Sequence, residues 1–177
     1  KLNLHFPKLS VLSIETRPEY VDLAELEFLA RVLGEGDTPT VLEIAVGFEA
    51  FDDRVRNDVF LKGLPLEAFE QCVRKIAPYG YHLKSYLMQN PVPGMSDEQA
   101  VADVHRAIDF FGRLAERYGI CVNLHLNPTY VAAGTPLADA FARGNYTPPS
   151  LVDVARAAQS ARGKPLSVFI GLNDEGL

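Results

Sequence analysis

The amino-acid sequence predicts an α/β protein: a partial (βα) barrel with a curved parallel sheet and its helices on the outer face. Short apolar or β-branched runs alternate with helical patterns along the chain, which is typical of parallel βα units. The predicted strands also carry polar residues at alternate positions, whereas a parallel sheet covered on both faces is apolar almost throughout. One face of the sheet is therefore expected to be polar and open to a ligand, with functional groups at the carboxyl ends of the strands.

The first half of the chain contains three predicted strands and three predicted helices. Asp22 and Glu25 are spaced as a capping box at the start of the first helix, and Pro65 suits the first turn of the third. The strands are expected over residues 11–15, 41–48 and 83–88, and the helices over residues 22–33, 52–60 and 66–77.

The second half continues the alternation. Ser96 caps the longest predicted helix and Gly119 ends it, as serine and glycine commonly do at these two positions. Strands are expected over residues 121–126 and 166–172, and helices over residues 96–118, 135–142 and 150–161.

Composition limits the possible classes of protein. The chain has 177 residues, which fits a single domain spanning 1–177. Its net charge of −6 argues against a broad nucleic-acid-binding face. The apolar runs are too short to cross a bilayer, and no secretory signal pattern is expected. Two cysteines are too few for a disulfide scaffold, so a reducing, cytoplasmic location is the default.

A carboxylate and a guanidinium follow one another at the end of the first strand. Glu15 and Arg17 emerge there together, and Pro18 forces the chain out of the strand. Glu15 could accept hydrogen bonds from a ribose hydroxyl or an ammonium group, or it could simply pair with Arg17. The residues alone leave both interpretations open.

Small residues lie beside an acid at the end of the second strand. Ala45 and Gly47 leave room for a ligand close to the backbone, and Glu49 points into that space or lies at the surface. Lys62 could bind a ligand carboxylate or only favour a helix C-terminus. The charged residues between them are expected to lie on a solvated face: Asp52, Asp53, Arg54 and Arg56.

His125 lies on the polar side of the fourth strand, between Asn123 and Asn127. A histidine in this position is either held in the core by hydrogen bonds or exposed to substrate. Glu43 and His82 could converge with His125 on a metal ion, but the spacings are not those of a metal site, so none is predicted.

Several of these segments resemble the radical S-adenosylmethionine enzymes. Residues 14–20 and 43–49, followed by Lys62, resemble the radical domain of the Elongator catalytic subunit. Residues 127–131 and 144–151 are similar to the iron–sulfur oxidoreductases grouped with the radical subunit of archaeosine synthase. The resemblance implies an open barrel whose concave face holds S-adenosylmethionine against a [4Fe–4S] cluster.

The resemblance also implies roles for particular residues. Glu15 would lie near the ribose of the cofactor, and Glu49 and Lys62 would contact its methionine end. The residues implied for the cofactor are Glu15, Arg17, Glu49, Lys62, Gln89 and Asn90, and those facing the substrate are Glu43, Lys84, His125 and Asn127.

The cluster-binding CxxxCxxC loop of that family is absent from this sequence. Cys72 and Cys121 are too far apart to form it. If the resemblance holds, the cluster loop lies upstream of Lys1, and the chain is a C-terminal part of a barrel that holds no cluster by itself.

The sequence therefore indicates a fragment of a radical S-adenosylmethionine iron–sulfur oxidoreductase, with a tRNA or another nucleoside as its suggested substrate. Two alternatives stay open. One is a metal-dependent or acid–base (βα)-barrel enzyme that uses Glu15, Glu43 and His125; the other is a non-catalytic binding domain. A sheet edge left bare in such a fragment makes dimerisation through that edge a further hypothesis.

Overall fold

Five parallel strands form one sheet, as the sequence predicts. A computed structural model describes residues 9–35 and 39–171 of the chain. The strands lie side by side in chain order, so β1 and β5 are the edges of the sheet among these residues. They are β1 (Val11–Glu15), β2 (Val41–Glu49), β3 (His82–Gln89), β4 (Val122–Pro128) and β5 (Ser167–Ile170). The predicted fifth strand extended to Leu172, which lies outside the described residues.

Helices connect the strands. They are α1 (Leu23–Gly34), α2 (Leu66–Ile76), α3 (Asp97–Tyr118), α4 (Pro136–Ala142) and α5 (Leu151–Gln159). A short π-helical segment, Arg54–Val59, precedes α2. Within the described residues, no helix combines the length and the apolar character needed to cross a membrane.

The strand order places the helices on one face of the sheet. Parallel strands are joined by right-handed crossovers, so strands added in chain order carry every connecting helix to the same side. A doubly wound sheet reverses its strand order to cover both sides. The alternating burial along β3 agrees, since Leu83, Ser85, Leu87 and Gln89 are buried on the helix-covered side. The α/β class expected from the sequence is thus confirmed.

An aromatic cluster fills the core between the sheet and the helices. The ring of Phe48 lies 5.2 Å from the rings of Phe69 and Phe111, and 5.9 Å from that of Phe110. These residues come from β2, α2 and α3, so the cluster joins the sheet to both helices. Because packed aromatic side chains bury large apolar areas, this contact fixes the carboxyl end of β2 against the core.

A buried arginine organises the segment that follows β2. The Arg56 guanidinium donates to the backbone oxygens of Ala50, Phe51 and Leu64 at 2.8–3.0 Å, and to Asp53 at 2.6 Å. Desolvation by this burial lowers its pKa. The sequence-based expectation that Arg56 lies on a solvated face is wrong, because the carbonyl groups of the turn wrap around the side chain.

Asp103 on α3 holds the same turn from the other side. Its carboxylate accepts hydrogen bonds from the backbone N–H groups of Phe51 and Asp52, both at 2.8 Å, and from Arg106 at 2.9 Å. The side chain of Asp103 is only 6% exposed. A buried carboxylate with three donors therefore ties the start of the β2–α2 connection to α3.

We expect Asp103→Ala to lower the free energy of unfolding by about 3 kcal/mol, because it leaves two backbone N–H groups without an acceptor. Asp109→Ala is the matched control on the same helix, since Asp109 pairs with Lys164 but is 51% exposed. The control should cost less than about 1 kcal/mol. Urea denaturation of both variants checks this, and equal losses would contradict the structural role of Asp103.

Candidate functional site

The helix-free face of the sheet carries cross-strand rows of side chains, two of which extend across most of its strands. The first row runs from Glu15 through Ala45, Lys84 and Asn123 to Ser167. The second row lies closer to the carboxyl ends of the strands and consists of Gly47, Tyr86, His125 and Phe169. We refer to this surface as the open face.

An ion pair lies above the carboxyl end of β2. Lys62 Nζ is 2.7 Å from Glu49 Oε1, and neither side chain is more than one-third exposed. A Cβ atom added at Gly47 would come within 2.5 Å of Glu49 Oε1 and 2.8 Å of Lys62 Nζ. Only glycine therefore leaves room for this pair directly on the strand.

Backbone conformation directs both side chains to this position. Glu49 has φ 67° and Leu61, just before Lys62, has φ 53°, both in the left-handed region that residues other than glycine seldom adopt. The β2–β3 register also shifts between Gly47 and Glu49. This bulge and the strained residue turn Glu49 back over the open face, because such irregularities commonly re-aim side chains near sites.

Glu15 belongs to the same small cavity. The cavity has a volume of about 90 Å³, and its walls include Glu15, Arg17, Gly47 and Lys62. The Glu15 carboxylate has no hydrogen-bond or ion-pair partner within residues 9–35 and 39–171. Glu15 and the Glu49–Lys62 pair thus lie on one side of the sheet, with one acid left free to bind.

Arg17 bonds to the backbone of Lys62 and to Glu19 rather than to the carboxylate of Glu15. Its Nη2 atom donates to the backbone oxygen of Lys62 at 2.7 Å, and its Nε atom lies 2.7 Å from Glu19. Of the two interpretations left open by the sequence, the simple Glu15–Arg17 pair is not formed. Arg17 instead fixes the β2–α2 connection over the cavity.

A hydrogen-bonded chain on the open face joins β2, β4 and β5. Asn123 Nδ2 donates to Glu43 Oε2 at 2.6 Å, and Ser167 Oγ donates to Asn123 Oδ1 at 2.6 Å. Glu43 is buried. Its carboxylate is therefore already occupied by the protein, in contrast to that of Glu15.

His125 lies among aromatic rings and is half-buried. Its ring centroid is 5.7 Å from that of Tyr86 and 5.1 Å from that of Phe169. Desolvation lowers the pKa of His125, the nearby Lys84 lowers it further, and Glu43 opposes both effects. His125 is consequently neutral at neutral pH and faces the open side rather than the core.

The two residues expected at the end of β3 do not join this site. Gln89 alternates with Leu83, Ser85 and Leu87, so its side chain is fully buried on the helix-covered side. Asn90 turns away with φ 53° and bonds to residues 146 and 147. The expectation that Gln89 faces the cofactor is corrected, because the two-residue period of a strand sends it to the opposite face.

Asn127 and the aromatic row complete the open face. The carboxamide of Asn127 lies against Gly171, where a Cβ atom would collide with its Oδ1. The row of Tyr86, His125 and Phe169 was missed by sequence reasoning, although the alternation within β3 and β4 already placed two of its members on one face. Phe169 is 53% exposed.

The described residues bring no metal site together. Within residues 9–35 and 39–171, no group of three or more His, Cys, Asp or Glu side chains is placed to hold an ion. Glu43, His82 and His125, which the sequence offered as a possible set of ligands, are thus not placed together around an ion. Burial also raises the pKa of the Cys72 thiol to about 11, so this cysteine is protonated at neutral pH.

Comparisons with known proteins give sequence relatives but no family assignment. No protein-family model matches the chain. It is 28% identical over 88% of its length to archaeosine synthase subunit beta of Methanosarcina acetivorans. It is 24% identical over 91% of its length to an uncharacterized protein of Methanocaldococcus jannaschii. The chain spans only 42% of the length of either relative.

Solved structures show a distant likeness. Streptococcus suis SuiB bound to S-adenosylmethionine aligns with a TM-score of 0.48 and 13% identity, covering 92% of this chain and 33% of SuiB. An L-ribulose 3-epimerase aligns with a TM-score of 0.46 and 16% identity, covering 95% and 52% of the two chains.

We expect Lys84→Met to raise the pKa of His125, since it removes a neighbouring positive charge, and Glu43→Gln to lower it further. NMR titration of the imidazole nitrogens measures both shifts. In the unchanged protein, the depressed pKa destabilises the fold as pH falls below about 6.5, where the unfolded histidine takes up a proton first. A pKa that does not respond to either substitution would contradict the placement of His125 between these charges.

Proposed function

We propose that the chain is part of a radical S-adenosylmethionine iron–sulfur oxidoreductase that acts on a tRNA or another nucleoside, and that the open face binds the cofactor and the substrate. The Glu49–Lys62 ion pair over Gly47, with the free Glu15 beside it, is the observation that carries this proposal. The similarity to archaeosine synthase subunit beta supports it, as does the sequence resemblance to the iron–sulfur oxidoreductases grouped with that enzyme.

The cavity at Gly47 fits the methionine end of the cofactor. That end carries an ammonium and a carboxylate. Lys62 lines the cavity and can bind the carboxylate, and Glu49, which pairs with Lys62, can bind the ammonium. Binding would exchange one internal ion pair for two pairs with the ligand, so the charges stay balanced throughout. With about 90 Å³, the cavity holds an end group, and the rest of the ligand extends over the open face.

Glu15 and Arg17 take different parts in this arrangement. The unpaired Glu15 carboxylate can accept hydrogen bonds from the hydroxyl groups of a ribose. Arg17 binds the backbone of Lys62 from the wall of the cavity, so it keeps the ammonium group over Gly47. Arg17 is thus a positioning residue in the proposal.

The aromatic row provides a surface for a planar ring. Tyr86, His125 and Phe169 present ring surface beside the Lys84 ammonium, which lies 5.5 Å from the centre of the Tyr86 ring. Bases of single-stranded nucleic acids stack on such rings, and lysine attracts their phosphates. The Asn127 carboxamide can donate and accept hydrogen bonds at the edge of this surface.

The cysteines of the chain do not fit an iron–sulfur cluster. Cys72 is buried and protonated, whereas Cys121 is exposed next to the amino end of β4. Clusters are held by thiolates. The proposal therefore assigns the cluster ligands to another part of the intact protein, in a reducing cytoplasm. A cluster-bound S-adenosylmethionine would supply a radical that removes hydrogen from the substrate.

The cofactor assignment predicts which substitutions weaken binding. In the intact protein, Glu49→Gln and Lys62→Met should each weaken binding of S-adenosylmethionine about 10- to 100-fold, because each removes a charged partner. Decarboxylated S-adenosylmethionine lacks the group assigned to Lys62, so Lys62→Met should leave its affinity unchanged while Glu49→Gln still weakens it. Isothermal titration calorimetry measures all four combinations.

A second ion pair of the same length provides the control. Arg117 lies 2.7 Å from Glu70 on the helix-covered side of the sheet, so Glu70→Gln and Arg117→Met should leave both affinities unchanged. If Lys62→Met weakens binding of the two compounds equally, the assignment of the carboxylate to Lys62 is wrong.

The reaction class has its own test. The intact protein, reconstituted anaerobically with iron and sulfide and then reduced, should show iron–sulfur absorbance and release 5′-deoxyadenosine from S-adenosylmethionine. Glu49→Gln should lower this release at subsaturating cofactor while leaving the absorbance unchanged. A protein that stays colourless and cleaves no cofactor would refute the proposed function.

A further inference from the structure

A small second core lies over the carboxyl ends of β3 and β4. Residues 129–149, which we call the cap, include α4 and bury Val131, Ala140 and Tyr146 against one another. This cluster is separate from the main core between the sheet and the helices. The cap is therefore packed mainly on itself.

Asn90 makes two hydrogen bonds to the cap, in addition to the backbone bond between Thr129 and Gln89 at the start of the cap. The Tyr146 hydroxyl donates to the backbone oxygen of Asn90 at 2.8 Å, and Asn90 Nδ2 donates to the backbone oxygen of Thr147 at 3.1 Å. Burial raises the pKa of Tyr146 to about 12, so its hydroxyl remains a donor at neutral pH. We call these two bonds the latch.

The closed latch leaves polar atoms unsatisfied. Both amide atoms of Gln89, the Oδ1 atom of Asn90 and the Oγ1 atom of Thr129 are buried without a hydrogen-bond partner in the described residues. Thr129, the first residue of the cap, donates its N–H to the backbone oxygen of Gln89, so these atoms lie where the cap begins. Rotating the Asn90 amide cannot help, because Oδ1 would then face the Thr147 oxygen, which only accepts.

This arrangement makes opening inexpensive. Leaving the sheet breaks the two latch bonds, but it lets water reach four polar atoms that the closed state leaves unpaired. A segment of this length with three buried apolar side chains cannot stay folded by itself, so detachment also releases the hydrogen bonds within the cap.

We propose that the cap is a lid that opens as one unit while the sheet stays folded. Opening would widen the groove of about 440 Å³ between residues 144–147 of the cap and the start of α3. The groove lies at the carboxyl ends of the strands, the edge at which (βα) proteins bind their ligands. This lid does not depend on the cofactor proposed above, and its test does not involve that cofactor.

Two tyrosines with the same kind of hydrogen bond allow a matched test. Tyr146→Phe removes a latch bond, and Tyr81→Phe removes the bond of 2.9 Å from Tyr81 to the backbone oxygen of Leu26 in the main core. Hydrogen–deuterium exchange of the intact protein compares the cap amides of Gly144 and Asn145 with the sheet amide of Leu83, all three of which are hydrogen-bonded.

The lid predicts different patterns for the two variants. Tyr146→Phe should speed exchange of the cap amides about five- to tenfold, since one hydrogen bond is lost from the closed cap. It should speed Leu83 by no more than the same factor, because the closed state is destabilised equally relative to the open cap and to the unfolded protein. Tyr81→Phe should speed Leu83 and leave the cap amides unchanged. If cap and sheet amides exchange at one rate, and both variants move them together, the cap opens only when the whole protein unfolds and the proposal fails.

Gln89→Met tests whether the unpaired amide atoms of Gln89 favour opening of the cap. Methionine has a shape similar to glutamine but no amide, so the closed state buries fewer unpaired atoms and opening gains less from water. Exchange of the cap amides should slow about fivefold or more in this variant. Unchanged or faster exchange would overturn the explanation based on these atoms.

Discussion

The open face exists because every connection between the parallel strands turns in the same direction. A right-handed crossover places its helix on a fixed side of the sheet, and the unbroken order from β1 to β5 never reverses that side. One face is thus buried by the helices and the other is left to polar side chains. The placement of the charged and aromatic residues of the site follows from this constraint.

The carboxyl end of β2 contributes both to the aromatic core and to the candidate site. Phe48 points into the aromatic core, while its neighbours Gly47 and Glu49 belong to the open face. The buried Arg56 and Asp103 hold the connection that carries Lys62. The ion pair over Gly47 is therefore supported by rigid, buried contacts rather than by a loose surface loop, which is what a preorganised binding site needs.

On the helix-covered side, the end of β3 lies beneath the cap. Gln89, which faces the helices, and Asn90, which follows it, lie beneath a segment with its own small core. The strand ends thus contribute to two regions: the ion pair on the open face, and the latch beside unpaired amide atoms under the cap. In the first region, ligand binding would replace an internal ion pair by ion pairs with the ligand. In the second, opening of the cap would replace hydrogen bonds within the protein by hydration of the polar atoms.

The sequence by itself determined the strand and helix alternation and the polar face, because these depend on local periodicity. The grouping of Glu15, Glu49 and Lys62 was implied only by the family resemblance, because Lys62 lies in a connection whose path no local pattern encodes. Only the tertiary structure decided that Arg56 is buried and that Arg17 binds Lys62, because both depend on carbonyl groups supplied by folded turns. The face occupied by Gln89 followed from the strand period, but its position at the last residue of β3 made it look like part of a loop. The latch between Asn90 and Tyr146 joins residues more than fifty positions apart, and no local pattern encodes such a contact.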